Sequence, residues 1–230
     1  SPRRRASTLC PPSCWPIWAL PTPIFGPSAR LDIEAELGFV VGGATHLGEP
    51  VALADAGEHL FGVVVLNDWS ARDLQAWEYV PLGPFLGKSF ATSIAPWVVT
   101  MDALRSARVP LPGQDPEPLP YLRGEPTADG AGTASGLDIS LEVEWNGTVV
   151  ARPQFRDMYW SPAQMVAHMT VNGATLRNGD LFGSGTISGA EKDTRGSFLE
   201  LSWSGREPIT LADGSQRTFL EDGDTVTLRA

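Results

Sequence analysis

The sequence predicts a mainly β domain with a few short helices, an α+β chain whose strands form a mixed roll or barrel-like sheet. Three observations carry this expectation. Apolar or alternating runs recur through the second half, with turn residues about every 8 to 12 positions. Asn146-Gly147 sits between the alternating runs "LDISLEVEW" and "TVVARPQF", a two-residue hairpin signal. Helix signals are confined to two short stretches, "SARDLQAWEY" and "SPAQMVAHMTVNG".

Taken in order, residues 1–25 form a Pro-rich segment without a place in the domain, and irregular character extends to about residue 30. Its "RRR" followed by apolar residues is faintly like a signal peptide. Pro11, Pro12, Pro16, Pro21 and Pro23 break any apolar helix there, so that reading is rejected. The domain proper spans 26–230. "LDIEAELGFVV" alternates with period two and reads as a strand, and "HLFGVVVLND" reads as a buried one. "SARDLQAWEY" is a short helix closed by Pro81 and Gly83, and "SIAPWVVTMDAL" is a further strand region. Residues 105–136, rich in Pro, Gly, Ala and Asp, form a long connection. Ser161 caps the second helix, with Pro162 at its first position, Gln164 completing a capping box and Asn172-Gly173 ending it. "DLFGSGTISG", "SFLELSW", "EPITLADGSQRTFL" and "DTVTLRA" are expected as strands.

The composition narrows the function. Hydrophobic residues are 42% of the 230, enough for an ordered core. Lys plus Arg number 17 against 27 Asp plus Glu, a net charge of −10 that disfavours nucleic acid and anionic membrane as partners. No apolar run is long enough to span a membrane. Cys10 and Cys14 form a CxxxC pair without a second pair, weak support for zinc. A cytoplasmic, reduced protein is expected.

Residues 66–90, "LNDWSARDLQAWEYVPLGPFLGKSF", release charged groups directly after a buried strand. Glu34 and Glu36 project from one face of the first strand, with Asp32 on the same side and Leu31, Ile33, Ala35 and Leu37 opposite. Two readings are open: a solvated polar face, or inward carboxylates held together by a cation. Asp68, ending the apolar strand, offers a third oxygen ligand. Three carboxylates without nearby His or Cys suit Ca²⁺, Mg²⁺ or Mn²⁺ better than zinc or copper. Arg72 and Gln75 share a helix face, which is either solvated or holds a carboxylate or enolate oxygen. Lys88 follows Gly87 in an apolar setting, with Thr92 four residues on. Thr186 lies in the Gly- and Ser-rich "GSGTISG", either a tight turn or a donor of backbone N–H groups to an oxyanion. His46, His59 and His168 come with no nucleophile, and the chain has neither GxSxG nor HExxH.

The run "LNDWSARDLQAWEYVPLGPFLGKSFATSIAPWVV" closely resembles the fumarylacetoacetase family, the hydrolases that end tyrosine and phenylalanine breakdown. "LDIEAELGFVVG", "MYWSPAQMVAHMTVNGATLRNGDLFGSGTISG", "GSFLELSW" and "FLEDGDTV" follow in the family's order, so the resemblance covers about residues 26–230. It implies the β-roll of the family's C-terminal catalytic domain, a homodimer and a β-diketo acid substrate. It also implies Glu34, Glu36 and Asp68 as ligands of a divalent metal, Ca²⁺ in the best-known members, and Asp68, Lys88 and Thr92 as a Mg²⁺ site. Arg72, Gln75, Lys88 and Glu200 match catalytic positions, Glu200 as a carboxylate behind the site. Gln75, Tyr79 and Thr186 match substrate contacts. The implied reaction is hydrolysis of the C–C bond of 4-fumarylacetoacetate to fumarate and acetoacetate. The family's general-base His, a further ligand Asp and a substrate-binding Tyr and Arg precede these motifs, and its β-roll continues past "FLEDGDTV". The chain is therefore expected to be incomplete at both ends and a poor catalyst alone. The alternatives are a non-catalytic metal-binding domain or another member of the wider superfamily, such as an acylpyruvate hydrolase.

Overall fold

The computed structural model describes residues 8–10, 24–124 and 135–230. Cys14 and most of the Pro-rich segment lie outside them. Near the start, β1 (Thr8–Cys10) pairs antiparallel with β2 (Ile24–Gly26), so the expected irregular stretch is corrected there to a short two-stranded ladder. Reading Pro as a breaker missed it because the prolines fall between the two strands rather than inside them.

The expected strand over "LDIEAELGFVV" divides in two. β3 (Leu31–Asp32) pairs with β6 (Ser70–Ala71), and β4 (Ala35–Val41) pairs with β5 (Leu60–Asp68). At the break, side-chain oxygens replace the ladder: the Ile33 N–H donates to Asp32 and the Glu34 N–H to Asn67. The period-two pattern still holds across it. Leu31, Ile33, Ala35, Leu37, Phe39 and Val41 are all buried in one core.

The largest sheet is antiparallel, in the order β13 (Leu181–Gly183), β4, β5, with β7 (Thr92–Ile94) and β8 (Val99–Thr100) both on the far edge of β5. A second sheet joins β12 (Thr148–Ala151), β11 (Glu142–Trp145) and β16 (Val226–Arg229). Asn146 and Gly147 both take positive φ, 48° and 78°, as a turn matched to the strand twist requires. Among the described residues, short ladders of β9 (Arg108–Val109) with β10 (Gly136–Leu137) and of β14 (Ile209–Thr210) with β15 (Gln216–Arg217) complete the strands. Phe39 stacks on Phe182 and tilts against Phe155, and Trp145 stacks on Phe198 with centroids 4.1 Å apart.

Among the described residues, three α-helices punctuate this framework. α1 (Arg72–Glu78) follows β6, and α2 (Pro162–Thr170) starts with the expected capping box, Ser161 and Gln164 each bonding the other's backbone N–H. α3 (Phe198–Leu201) is a correction, since "SFLELSW" reads as a strand. Ser197 caps it by accepting from the Glu200 N–H, and Asp32 accepts from Phe198 and Leu199. Acceptors supplied from β3 thus satisfy the helix start and override strand propensity. Among the described residues no helix is long and apolar enough to cross a membrane.

Candidate metal centre

The start of β4, the end of β5, the first turn of α1 and the end of β13 meet at one end of the large sheet. Glu34 lies just ahead of β4, Glu36 within it, and Asp68 closes β5. Carboxylate oxygens of these three lie within 4.8 Å of one another. Glu36 is buried at 4% exposure, and the Glu34 side chain is 12% exposed. The solvated-face reading is therefore excluded for Glu34 and Glu36.

Two cations brace the cluster. Lys88 Nζ donates to Glu34 Oε2 at 2.6 Å and to Asp68 Oδ2 at 3.0 Å. Arg72 Nε donates to Asp32 Oδ2 at 2.8 Å, and its Nη1 donates to Glu34 Oε1 at 2.6 Å and Gln75 Oε1 at 3.0 Å. Asp32, fully buried, also accepts from the Ile33, Phe198 and Leu199 amides, so one carboxylate fixes β3, α1 and α3 together. Gly185 N–H donates to Glu36 Oε2 at 3.1 Å, and a Cβ at Gly183 would collide with that oxygen. The turn after β13 can press on Glu36 only because Gly183 has no side chain.

The charges do not balance. Asp32, Glu34, Glu36 and Asp68 face Arg72 and Lys88, leaving two negative charges beyond the two cations. The excess falls on Glu36, whose carboxyl is pushed up to about 8 by burial and by the neighbouring Glu34 and Asp68. Burial also raises Asp68, with Lys88 pulling against it. In Glu34 burial is outweighed by Arg72 and Lys88, and the carboxyl lies below its ordinary value. A hard divalent cation would neutralise two charges, and all three donors are carboxylate oxygens of the type such ions prefer. The residues fit a hard divalent cation.

The remaining sequence-predicted residues divide. Gln75 joins the network through Arg72. Thr92 stands opposite Asp68 in the β5–β7 ladder with its side chain exposed. Tyr79 follows α1 and is 52% exposed. Thr186 is half-buried next to Gly185, in the segment whose Ile187 amide bonds back to Ala35. Glu200 does not join the cluster; its Oε2 accepts from Ser188 Oγ and Ser197 Oγ, both at 2.7 Å, and so ties the β13 side to α3. All three histidines are among the described residues, and none belongs to the cluster. His59 Nδ1 contacts the Gly43 carbonyl, and His168 Nδ1 contacts the Tyr121 hydroxyl. Sequence reading missed the bracing roles of Asp32 and Glu78. Glu78 accepts from the Phe85, Leu86 and Gly87 amides, contacts that no local pattern announces.

The chain matches the family described as "Fumarylacetoacetate (FAA) hydrolase C-terminal" over residues 6–230. The chain belongs to the fumarylacetoacetate hydrolase family. It is 51% identical to the fumarylacetoacetase of Homo sapiens over 213 residues, covering 90% of this chain and 49% of that protein. It is 51% identical to that of Arabidopsis thaliana over 211 residues, covering 89% and 48%, and 54% identical to that of Emericella nidulans over 214 residues, covering 90% and 48%. The chain thus spans about half the length of the curated relatives it matches. Among solved structures, the fumarylacetoacetate hydrolase from Exiguobacterium antarcticum aligns with a TM-score of 0.56 at 22% identity, over 88% of this chain and 53% of that one. The 2-hydroxyhepta-2,4-diene-1,7-dioate isomerase from Mycobacterium marinum aligns at 0.53 and 21%, over 92% and 65%. The mainly β fold with short helices is that of the fumarylacetoacetate hydrolase family's C-terminal domains.

Proposed function

We propose that this chain is the metal-holding catalytic half of a fumarylacetoacetase, hydrolysing the C–C bond of 4-fumarylacetoacetate to fumarate and acetoacetate. The observation that carries the proposal is the convergence of Glu34, Glu36 and Asp68 beside Lys88 and Arg72, in a chain about half identical to curated fumarylacetoacetases. Glu34, Glu36 and Asp68 would hold Ca²⁺ or Mg²⁺, with Mn²⁺ as a substitute, and Asp68, Lys88 and Thr92 would form the Mg²⁺ site named by the resemblance. When bound, the ion supplies Lewis-acid polarisation of the diketone oxygens.

The chain's own residues supply binding and charge stabilisation. Lys88 and Arg72 carry fixed positive charge at the cluster, where the enolate leaving group would develop its negative oxygen. Gln75, held through its Oε1 by Arg72, keeps its amide N–H₂ free of that bond and available to a substrate oxygen. Tyr79 and Thr186 would contact the diacid from the rim, and Glu200 would support the site from behind through Ser188 and Ser197. Proton abstraction from water is the step these residues do not cover, because no histidine lies in the cluster.

A homodimer is part of the same proposal, supported by the exposed apolar side chains of Ile94, Trp97, Val98 and Val99 beside β5. A cytoplasmic location rests on the low cysteine content alone. The function is tested by following loss of the diketone absorbance with added Ca²⁺ or Mg²⁺ and again with chelator. Metal-dependent loss that disappears in Asp68→Ala supports the proposal, and turnover indifferent to both changes refutes it. A non-catalytic metal-binding domain is favoured by one observation, the absence of histidine from the cluster. It would bind the ions and show no turnover even in an assembly that supplies the general base.

A further inference from the structure

The loop joining α1 to Lys88 is apolar and exposed, yet its end is tightly held. Tyr79, Val80, Leu82, Phe85 and Leu86 are each more than half exposed, so burial of their side chains does not explain the order of this loop. Beside its backbone bonds, three successive amides at its end go to one carboxylate. Glu78 Oε1 accepts from the Phe85 and Gly87 amides, both at 2.7 Å, and Oε2 accepts from the Leu86 amide at 3.1 Å. Three amides converging on one anion form a charge-assisted clamp, stronger than neutral hydrogen bonds of the same number.

The clamp lies immediately before the site. Gly87 packs so closely on α1 that a Cβ there would meet Gln75 N at 2.8 Å, and its carbonyl accepts from the Ala71 amide at 2.8 Å. The next residue is Lys88, whose amide and that of Ser89 both bond back to the Phe85 carbonyl. The Phe85–Ser89 turn is therefore fixed at one end by Glu78 and at the other by Lys88 Nζ on Glu34 and Asp68.

We propose that Glu78 is a positioning residue that acts through Lys88: its clamp on the Phe85–Gly87 amides sets the register from which the Lys88 ammonium bridges Glu34 and Asp68. The functional meaning of this inference rests on the metal-centre reading, but its test does not. Without the clamp, the Tyr79–Gly83 and Ala71–Gly87 backbone bonds remain but the Phe85, Leu86 and Gly87 amides lose their acceptor, and Lys88 leaves the cluster for part of the time. Gln at position 78 keeps an oxygen for Phe85 and Gly87 but faces the Leu86 amide with a donor, so it weakens the clamp without removing it.

The sequence contains two lysines, Lys88 and Lys192, which makes each the control for the other. The Lys88 side chain is 17% exposed and that of Lys192 is 53% exposed. Acetylation by N-hydroxysuccinimidyl acetate, resolved by peptide mass spectrometry, gives the rate at each. In the metal-free full chain, Glu78→Ala is expected to speed labelling of Lys88 by about tenfold through local opening, with Glu78→Gln in between and Lys192 unchanged. Wild-type labelling of Lys88 in both variants overturns the proposal. Equal acceleration at Lys88 and Lys192 also overturns it, because that is general loosening and not a local clamp. Should Glu78→Ala fail to fold, Glu78→Gln decides by the same comparison. Calorimetry with Mn²⁺ on the wild type judges the metal centre separately: absence of binding overturns that reading, while the labelling still decides the clamp.

Discussion

Replacing Glu36 by Gln should stabilise the protein when no metal is present. Glu36 is buried between Glu34 and Asp68, and its carboxyl is raised from the ordinary 4.5 to about 8. A raised folded-state value means that the favourable contribution is present in acid and is lost as pH climbs toward 8. Integrating the linkage gives no difference between wild type and variant near pH 4, about 3 kcal/mol in favour of the variant at pH 7, and about 5 kcal/mol well above pH 8. Gln keeps the shape and can still accept from Gly185, so little packing is lost. Urea melts in chelator across pH 4 to 9 measure the difference directly. With divalent ion at about 100 times its Kd, the wild type alone gains about 2.7 kcal/mol and most of the gap closes. A variant less stable than wild type in chelator, or a gap that does not widen with pH, would refute the charge accounting of the site.

Asp32→Ala should cost about 3–5 kcal/mol, because Arg72 and two α3 amides lose a buried acceptor, and the loss is read from denaturant midpoints. Ser161→Ala should cost about 1 kcal/mol by removing the α2 cap, with no effect on metal binding. Under the proposed hydrolysis, Lys88→Ala in a catalytically competent assembly should lower kcat more than it raises KM, since its charge would matter most as an enolate forms. The 230-residue chain assayed alone should show a large rate deficit, as general-base catalysis contributes about 10²–10⁴-fold and no histidine joins the cluster. Rates equal to a full-length fumarylacetoacetase would mean that another group serves as base, with His59 and His168 the first to mutate.

What could be read in advance followed from short-range rules. The alternation from Leu31 to Val41 marked the core face correctly, since period two survives the break at residues 33 and 34. The α2 boundaries were legible because Ser161, Pro162 and Gln164 act within one turn. Glu34, Glu36 and Asp68 were legible as carboxylates at or beside strand ends, and the structure brings their oxygens within 4.8 Å of one another. α3 was not legible, because the acceptor that starts it is Asp32, 166 positions away in sequence. The Glu78 clamp was hidden for a similar reason: its partners lie seven to nine residues ahead across an irregular loop. The β1–β2 ladder was hidden by prolines that punctuate only the residues between its strands.

Anomalous diffraction from crystals grown with Mn²⁺ tests most directly whether one divalent ion sits among Glu34, Glu36 and Asp68. The expected result is a single strong anomalous peak within about 2.0–2.6 Å of an oxygen from each of the three carboxylates, absent in Asp68→Ala crystals. Well-ordered crystals without a peak there, or with the ion held elsewhere while Lys88 still bridges Glu34 and Asp68, would contradict the account.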